Sequence, residues 1–182
     1  LAIIPLTPNQ WTLLSIVIAL AAGAMVAMGN LPLGLGLFAL AALSDVIDGA
    51  VARARNEVSA LGGFMDGVSD RFVEAIFLFS FMFYPLPTLL IDPKIWIASV
   101  IFLGTCMPSF IRAYADHKAV VSREEANALG GICERSERIL LIVIGLGAGL
   151  ALAMDYFVYS LILASALSLV TIMQRLYQIS RK

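Results

Sequence analysis

Charge is scarce in this sequence. Asp, Glu, Lys and Arg make up 14% of its 182 residues, against about a quarter in a soluble domain. With 60% hydrophobic residues and a mean hydropathy of +0.93, that scarcity leaves no room for a large separate soluble domain and points to an integral membrane protein. Cysteine is as sparse. Cys106 and Cys133 have no metal-ligand spacing and read as ordinary apolar packers rather than a disulfide or redox pair. The one histidine, His117, falls in a polar stretch and reads as a solvated loop residue rather than a catalyst. The net charge of −1 says little about partners by itself, and no nucleic-acid partner is expected. Low-complexity segments and a visible internal repeat are also missing. The first residue is Leu rather than Met, so the chain is expected to be trimmed from something longer. Leu1 to Pro5 is too short and uncharged for a signal peptide.

What is there is a series of apolar runs, each near the roughly 20 residues that a helix needs to cross a bilayer. The first runs from Trp11 to Met28, entered through Thr7-Pro8-Asn9-Gln10, with Thr7 as N-cap and Pro8 at the first helical position. The others run from Leu33 to about Arg55, Val58 to Tyr84, Lys94 to Asp116, Ile132 to Met154 and Tyr156 to Ile179. Gly and Pro sit mostly near segment ends, so the spans are expected to be helices with their backbone groups satisfied internally. The expected fold is all-α, one transmembrane domain over residues 1–182 with six helices and an active site at their cytoplasmic end. Eleven of the twelve Lys and Arg residues fall on one side under this count, and only Lys94 on the other. The positive-inside rule then puts both termini in the cytoplasm of a multi-pass protein of the cell membrane.

One stretch breaks the apolar pattern. Ser44 to Asp70 carries Asp45, Asp48, Asp66 and Asp70, and an ionised side chain within a membrane costs roughly 2.5–3.5 kcal/mol on insertion scales. Asp45 and Asp48 are three apart on the second helix, and Asp66 and Asp70 four apart on the third, so each pair shares a helix face. The turn between these helices centres near Glu57 and lies equally far from Asp48 and Asp66. An antiparallel hairpin puts all four carboxylates at matching depth, with Asp48 and Asp66 roughly 13 Å from the turn. Four such carboxylates do not all stay ionised without a counter-charge. Oxygen-only ligands favour a hard divalent ion, Mg²⁺ or Mn²⁺, with Ca²⁺ as a further occupant. Gly49, Ala52 and Gly62 lie on or beside the aspartate faces and allow close helix approach or room for a ligand. Arg53, one turn from Gly49, is within reach of a phosphate. This geometry is open to either a metalloenzyme or a divalent cation transporter. A transporter needs polar residues across the whole membrane, and beyond Asp45 and Asp70 only Glu74 continues such a path.

The spacing Asp45-x2-Asp48-Gly49-x2-Ala52-Arg53-x8-Gly62-x3-Asp66-x3-Asp70 resembles the signature of the CDP-alcohol phosphotransferase family at all eight of its fixed positions. Thr7 to Gln10 resembles the family's entry to its first helix, and the six-helix plan extends the resemblance over essentially the whole chain. The resemblance implies transfer of a substituted phosphate from a CDP-linked donor to an alcohol, with release of CMP. It implies that Asp45, Asp48 and Asp66 hold divalent metal on the donor pyrophosphate, and that Asp70 serves both a second metal position and the role of general base. The resemblance further implies that Asp48, Gly49, Ala52, Arg53 and Gly62 shape the nucleotide site, with Asn9 near the cytidine. A homodimer is the expected assembly.

The alcohol is marked only by a few arginines. Arg112 ends the fourth helix, and Arg135 and Arg138 begin the fifth, where arginine opposes the helix dipole and an anionic ligand explains it better. Lys118, Arg123 and Arg175 read instead as anchors on the positive side. A cationic wall favours a phosphorylated acceptor, inositol phosphate or glycerol phosphate, over choline or ethanolamine. Arg-Ala-x-Ala at Arg112 and Glu-Arg-x-Glu-Arg over Glu134 to Arg138 resemble the branch that makes phosphatidylinositol phosphate and its archaeal counterpart. The expected partners are a CDP-diacylglycerol or CDP-archaeol donor, a small alcohol and the lipid bilayer.

Overall fold

The computed structural model describes residues 8–54 and 59–182, with side chains described for 10–44 and 59–182. Two compact units divide the chain, Leu1–Pro85 and Leu86–Lys182.

The first unit is built from α1 (Pro8–Ala27), α2 (Leu31–Ala54) and α3 (Ala60–Ser80). Pro8 opens α1, as its fixed φ and missing N–H allow, while Thr7 lies outside the described residues. The α1–α2 turn is a Schellman motif. Gly29, at φ 84°, donates to Val26 O at 2.9 Å, and Asn30 donates to Met25 O at 2.9 Å. Only glycine takes that left-handed geometry without a Cβ penalty. Ser59 caps α3, its Oγ accepting from the Gly62 amide at 3.0 Å. The helix ends at Ser80 rather than Tyr84, because residues 81–84 wind into turns ahead of Pro85. In this unit α1 packs against both α2 and α3. Phe38 of α2 meets Phe77 of α3 edge to face at 4.8 Å.

The second unit begins with α4 (Pro93–Ser99), capped by Asp92, whose carboxylate accepts from the Lys94 amide at 2.8 Å. It continues without a break through a π-helical stretch, Val100–Cys106, into α5 (Met107–His117). The continuous helix Pro93–His117 covers the expected fourth span. Its π stretch has a local cause. Pro108 has no N–H to give the Gly104 carbonyl and its ring crowds that carbonyl, so the helix widens there. The polar stretch that follows holds a short helix, α6 (Arg123–Ala128), which the hydropathy pattern did not mark. Its Ser122 and Glu125 form a reciprocal capping box. The last two helices are α7 (Arg135–Ala151) and α8 (Asp155–Ser180). Helix α7 starts three residues later than Ile132, because α8 takes over two backbone amides. Ile132 N donates to Gln174 Oε1 and Cys133 N to Thr171 Oγ1, each at 3.0 Å. Helix α8 packs against α4, the π stretch, α5 and α7.

The burial pattern of α8 inverts that of a soluble helix. Ser165, Ser168, Thr171 and Arg175 are buried, while Leu163, Leu169, Val170 and Met173 are exposed. The inward hydroxyls of Ser165 and Thr171 donate to the carbonyls of Leu161 and Leu167, so these two are satisfied without water. Large apolar side chains facing outward are a liability in water and the normal surface in lipid. Among the described residues, Gln10–Ala27, Pro93–His117 and Asp155–Ser180 are long and apolar enough to cross a membrane, and Leu31–Ser44 is a shorter apolar helix.

Candidate functional site

In the first unit, α3 presents Asp66 and Asp70 one turn apart. Asp66 is exposed and the Asp70 side chain is 14% exposed. The guanidinium of Arg71 is pinned by its Nη1 to Gly67 O at 2.6 Å and stands 3.9 Å from Asp70 Oδ2. Ser69 donates to Asp66 O at 2.9 Å. Gly62 lies at the N-terminal cap, where an added Cβ would come 3.1 Å from the Ser59 hydroxyl. The backbone of α2 carries Asp45, Asp48, Gly49, Ala52 and Arg53 in its last turns, and α1 carries Asn9 in its first. Their side chains lie outside the described residues. So, among the described residues, no three His, Cys, Asp or Glu side chains gather as an ion site.

The helix register is nonetheless defined. Phe38 and Phe77 touch across α2 and α3. Seven residues further toward the turn on each helix stand Asp45 and Asp70. Equal offsets from a contact point are equal rises along antiparallel helices.

In the second unit, arginines gather around Glu134. Arg175, expected to be an anchor on the membrane face, is instead 2% exposed. Its Nη1 donates to Pro108 O at 2.6 Å, and its Nη2 to both Glu134 oxygens at 2.8 and 2.7 Å. Arg112 of α5 donates from Nη2 to Leu129 O at 3.0 Å and stands 3.9 Å from Glu134 Oε2. Arg138 goes elsewhere. It is buried at 3% exposure along Gly104 of the π stretch, where an added Cβ would come 2.7 Å from its Cδ. Arg135, at the start of α7, is half-buried. Thus Arg112 and Arg175 converge on one carboxylate, and Arg138 lies apart from that pair, against the π stretch. The signal for Arg175 was present in the sequence. It continues the Ser168 and Thr171 stripe along one face of α8, whereas a surface anchor belongs on the opposite face. Cys106 and Cys133 are both free thiols, the first exposed and the second buried. His117 is exposed at the end of α5.

Comparison with known proteins decides what this collection of carboxylates and guanidiniums belongs to. Residues 5–173 match the model of the CDP-alcohol phosphatidyltransferase family. The chain belongs to that family. It is therefore an enzyme, a CDP-alcohol phosphotransferase of phospholipid biosynthesis, and not the cation transporter that an acidic cluster alone also allowed. Archaetidylinositol phosphate synthase of Pyrococcus horikoshii is 35% identical over 182 residues, covering 100% of this chain and 88% of the relative. The fold is shared with phosphatidylinositol phosphate synthase of Mycobacterium tuberculosis. Its crystal structure with CDP-DAG bound superposes with a TM-score of 0.79 at 23% identity, over 96% of this chain and 87% of that one. The same enzyme in complex with manganese and citrate gives a TM-score of 0.72 at 22% identity, over 96% and 83%.

Proposed function

We propose that residues 1–182 form one transmembrane domain with six spans and both termini cytoplasmic. It transfers the substituted phosphate of a CDP-linked lipid to a phosphorylated alcohol of the inositol phosphate class and releases CMP. The observation that carries this reading is the α2–α3 register, in which Asp45 and Asp70 are equally offset from the Phe38–Phe77 contact. Two pairs of aspartates on α2 and α3, with no nitrogen or sulfur donor among them, suit a hard divalent cation. Asp45, Asp48, Asp66 and Asp70 would hold it. When bound, the cation would neutralise charge on the donor's phosphates and on the departing CMP.

The rest of the chemistry belongs to the chain. Asn9, Asp48, Gly49, Ala52, Arg53 and Gly62 orient the nucleotide, the glycines and alanine by leaving room and Arg53 by meeting phosphate. Asp70 is the general base that takes the proton of the attacking hydroxyl. Its side chain is 14% exposed and its Oδ2 stands 3.9 Å from the Arg71 guanidinium, which orients the carboxylate. The apolar helices bind the lipid tails and keep water from competing with the alcohol. Arg112, Arg135 and Arg138 bind the acceptor. Support for an inositol phosphate acceptor comes from the name of the Pyrococcus horikoshii relative, and support for Mg²⁺ or Mn²⁺ from the manganese complex of the fold neighbour. CDP-diacylglycerol or CDP-archaeol is the donor, and the working assembly is a homodimer. Glycerol phosphate, which offers the same anionic handle, is the alternative acceptor. An acceptor screen with a fixed CDP-lipid tests the reading. Inositol phosphate should support the fastest CMP release, and faster release with glycerol phosphate or with choline would overturn the acceptor assignment.

A further inference from the structure

In the second unit the helices Pro93–His117 and Asp155–Ser180 are long and apolar enough to cross a membrane. Their last turns lie at the same end, because Ile179 packs against Ala115, Val121 and Ala126. Both helices finish on the same outward pattern. On α5, Phe110 and Tyr114 are exposed and stack at 5.2 Å, and the Lys118 ammonium lies over the Tyr114 ring, 5.5 Å from its centroid. On α8, Val170, Met173 and Tyr177 are exposed at i, i+3 and i+7, and the Arg181 guanidinium lies over the Tyr177 ring, 4.8 Å from its centroid. Each stripe runs from apolar through aromatic to cationic along one helix face. A helix leaving a bilayer meets acyl chains, interface and headgroups in that order.

The two cations are held but not neutralised. Both stand within the roughly 6 Å range of cation–π attraction, and among the described residues neither Lys118 nor Arg181 makes an ion pair. Lys182, next to Arg181 and also exposed, is instead bound to Glu125 at 2.6 Å. The other acidic residues of this end lie off the stripes. Asp116 is two positions from both Tyr114 and Lys118, so it points away from them, and Glu124 belongs to α6. A guanidinium over a ring keeps its in-plane N–H groups for a phosphate, and an ammonium keeps the donors turned away from the ring.

We propose that the two stripes are binding sites for anionic phospholipid of the surrounding bilayer, separate from the catalytic site. Lys118 and Arg181 meet the headgroup phosphate, and Tyr114 and Tyr177 hold them at headgroup level. Phe110, Val170 and Met173 lie along the acyl chains. Lys118, a general anchor by sequence, thereby gains a defined ligand. The proposal is independent of which alcohol the enzyme uses.

The test titrates the whole protein in detergent micelles with phosphatidylglycerol or phosphatidylcholine and reads successive binding by native mass spectrometry. Wild type should bind two phosphatidylglycerol molecules per protomer ahead of any phosphatidylcholine. Lys118→Gln and Arg181→Gln should each weaken one of the two by about fivefold, the weight of one cation at a membrane surface, and the double variant should weaken both. Phosphatidylcholine binding and the thermal midpoint should stay as in wild type. Lys182→Gln should keep both phosphatidylglycerol molecules, because that charge is already committed to Glu125. An equal loss in Lys182→Gln would show a diffuse surface field rather than two sites and would overturn the proposal. So would a double variant that retains both lipids at wild-type affinity. A double variant that keeps its lipids but turns from dimer to monomer would assign the stripes to a second copy of the chain, and would overturn it too.

Discussion

The two units carry their charges in opposite ways. In the first, the acidic residues of the signature come from two helices, at i, i+3 and i, i+4 spacing. In the second, the basic residues come from α5, α7 and α8, up to 63 positions apart, since Arg112 and Arg175 share Glu134. The aspartate spacing is local to each helix. A guanidinium cluster that must hold its own counter-charge in the apolar interior is closed only by tertiary packing. Each buried arginine has found protein oxygen or a tailored gap, Arg175 at Glu134 and Pro108, and Arg138 along Gly104.

The contrast breaks most visibly at Asp70. Asp70→Asn should lower turnover by at least about a hundredfold, the contribution of a positioned general base, while CDP-lipid binding is largely kept. Measured CMP release by that variant at the wild-type rate would remove Asp70 as base. Next in size is Arg112→Gln. Loss of one charged hydrogen-bonding partner, about 1.5–3 kcal/mol, should raise the acceptor KM roughly 10- to 100-fold and leave the donor KM unchanged. Equal effects on both substrates would place Arg112 in a structural role. The smallest effect tests packing rather than chemistry. Gly104→Ala sets a Cβ 2.7 Å from Arg138 Cδ and 3.0 Å from Ser168 Oγ. It should destabilise the second unit by about 1–3 kcal/mol, read as a lower thermal midpoint in detergent. An unchanged midpoint would mean that Arg138 moves freely.

What could be read from the sequence follows the same division. The helices of the first unit and the carboxylate spacing were legible because Gly, Pro and Asp act locally. Pro8 opens α1, Gly29 closes it and Ser59 caps α3. The inward face of Arg175 was marked by the Ser168 and Thr171 stripe, but its partners were not, since Pro108 and Glu134 reach it from 67 and 41 positions away. Helix α6 was missed for another reason. Its apolar face is short, with only Ala126 buried, so hydropathy passes over it, although the Ser122-x-x-Glu125 capping box announces it. The late start of α7 had no local signal at all, because Thr171 and Gln174 of α8 hold the preceding amides.

The central claim is metal-dependent transfer to an anionic alcohol. The measurement that tests it most directly is CMP release by the purified protein from CDP-diacylglycerol or CDP-archaeol, with and without inositol phosphate, before and after removal of divalent metal by EDTA. The account predicts release that needs both the acceptor and the metal and returns when Mg²⁺ or Mn²⁺ is restored. Release that persists without metal, or none with any phosphorylated alcohol in a folded preparation, would contradict it.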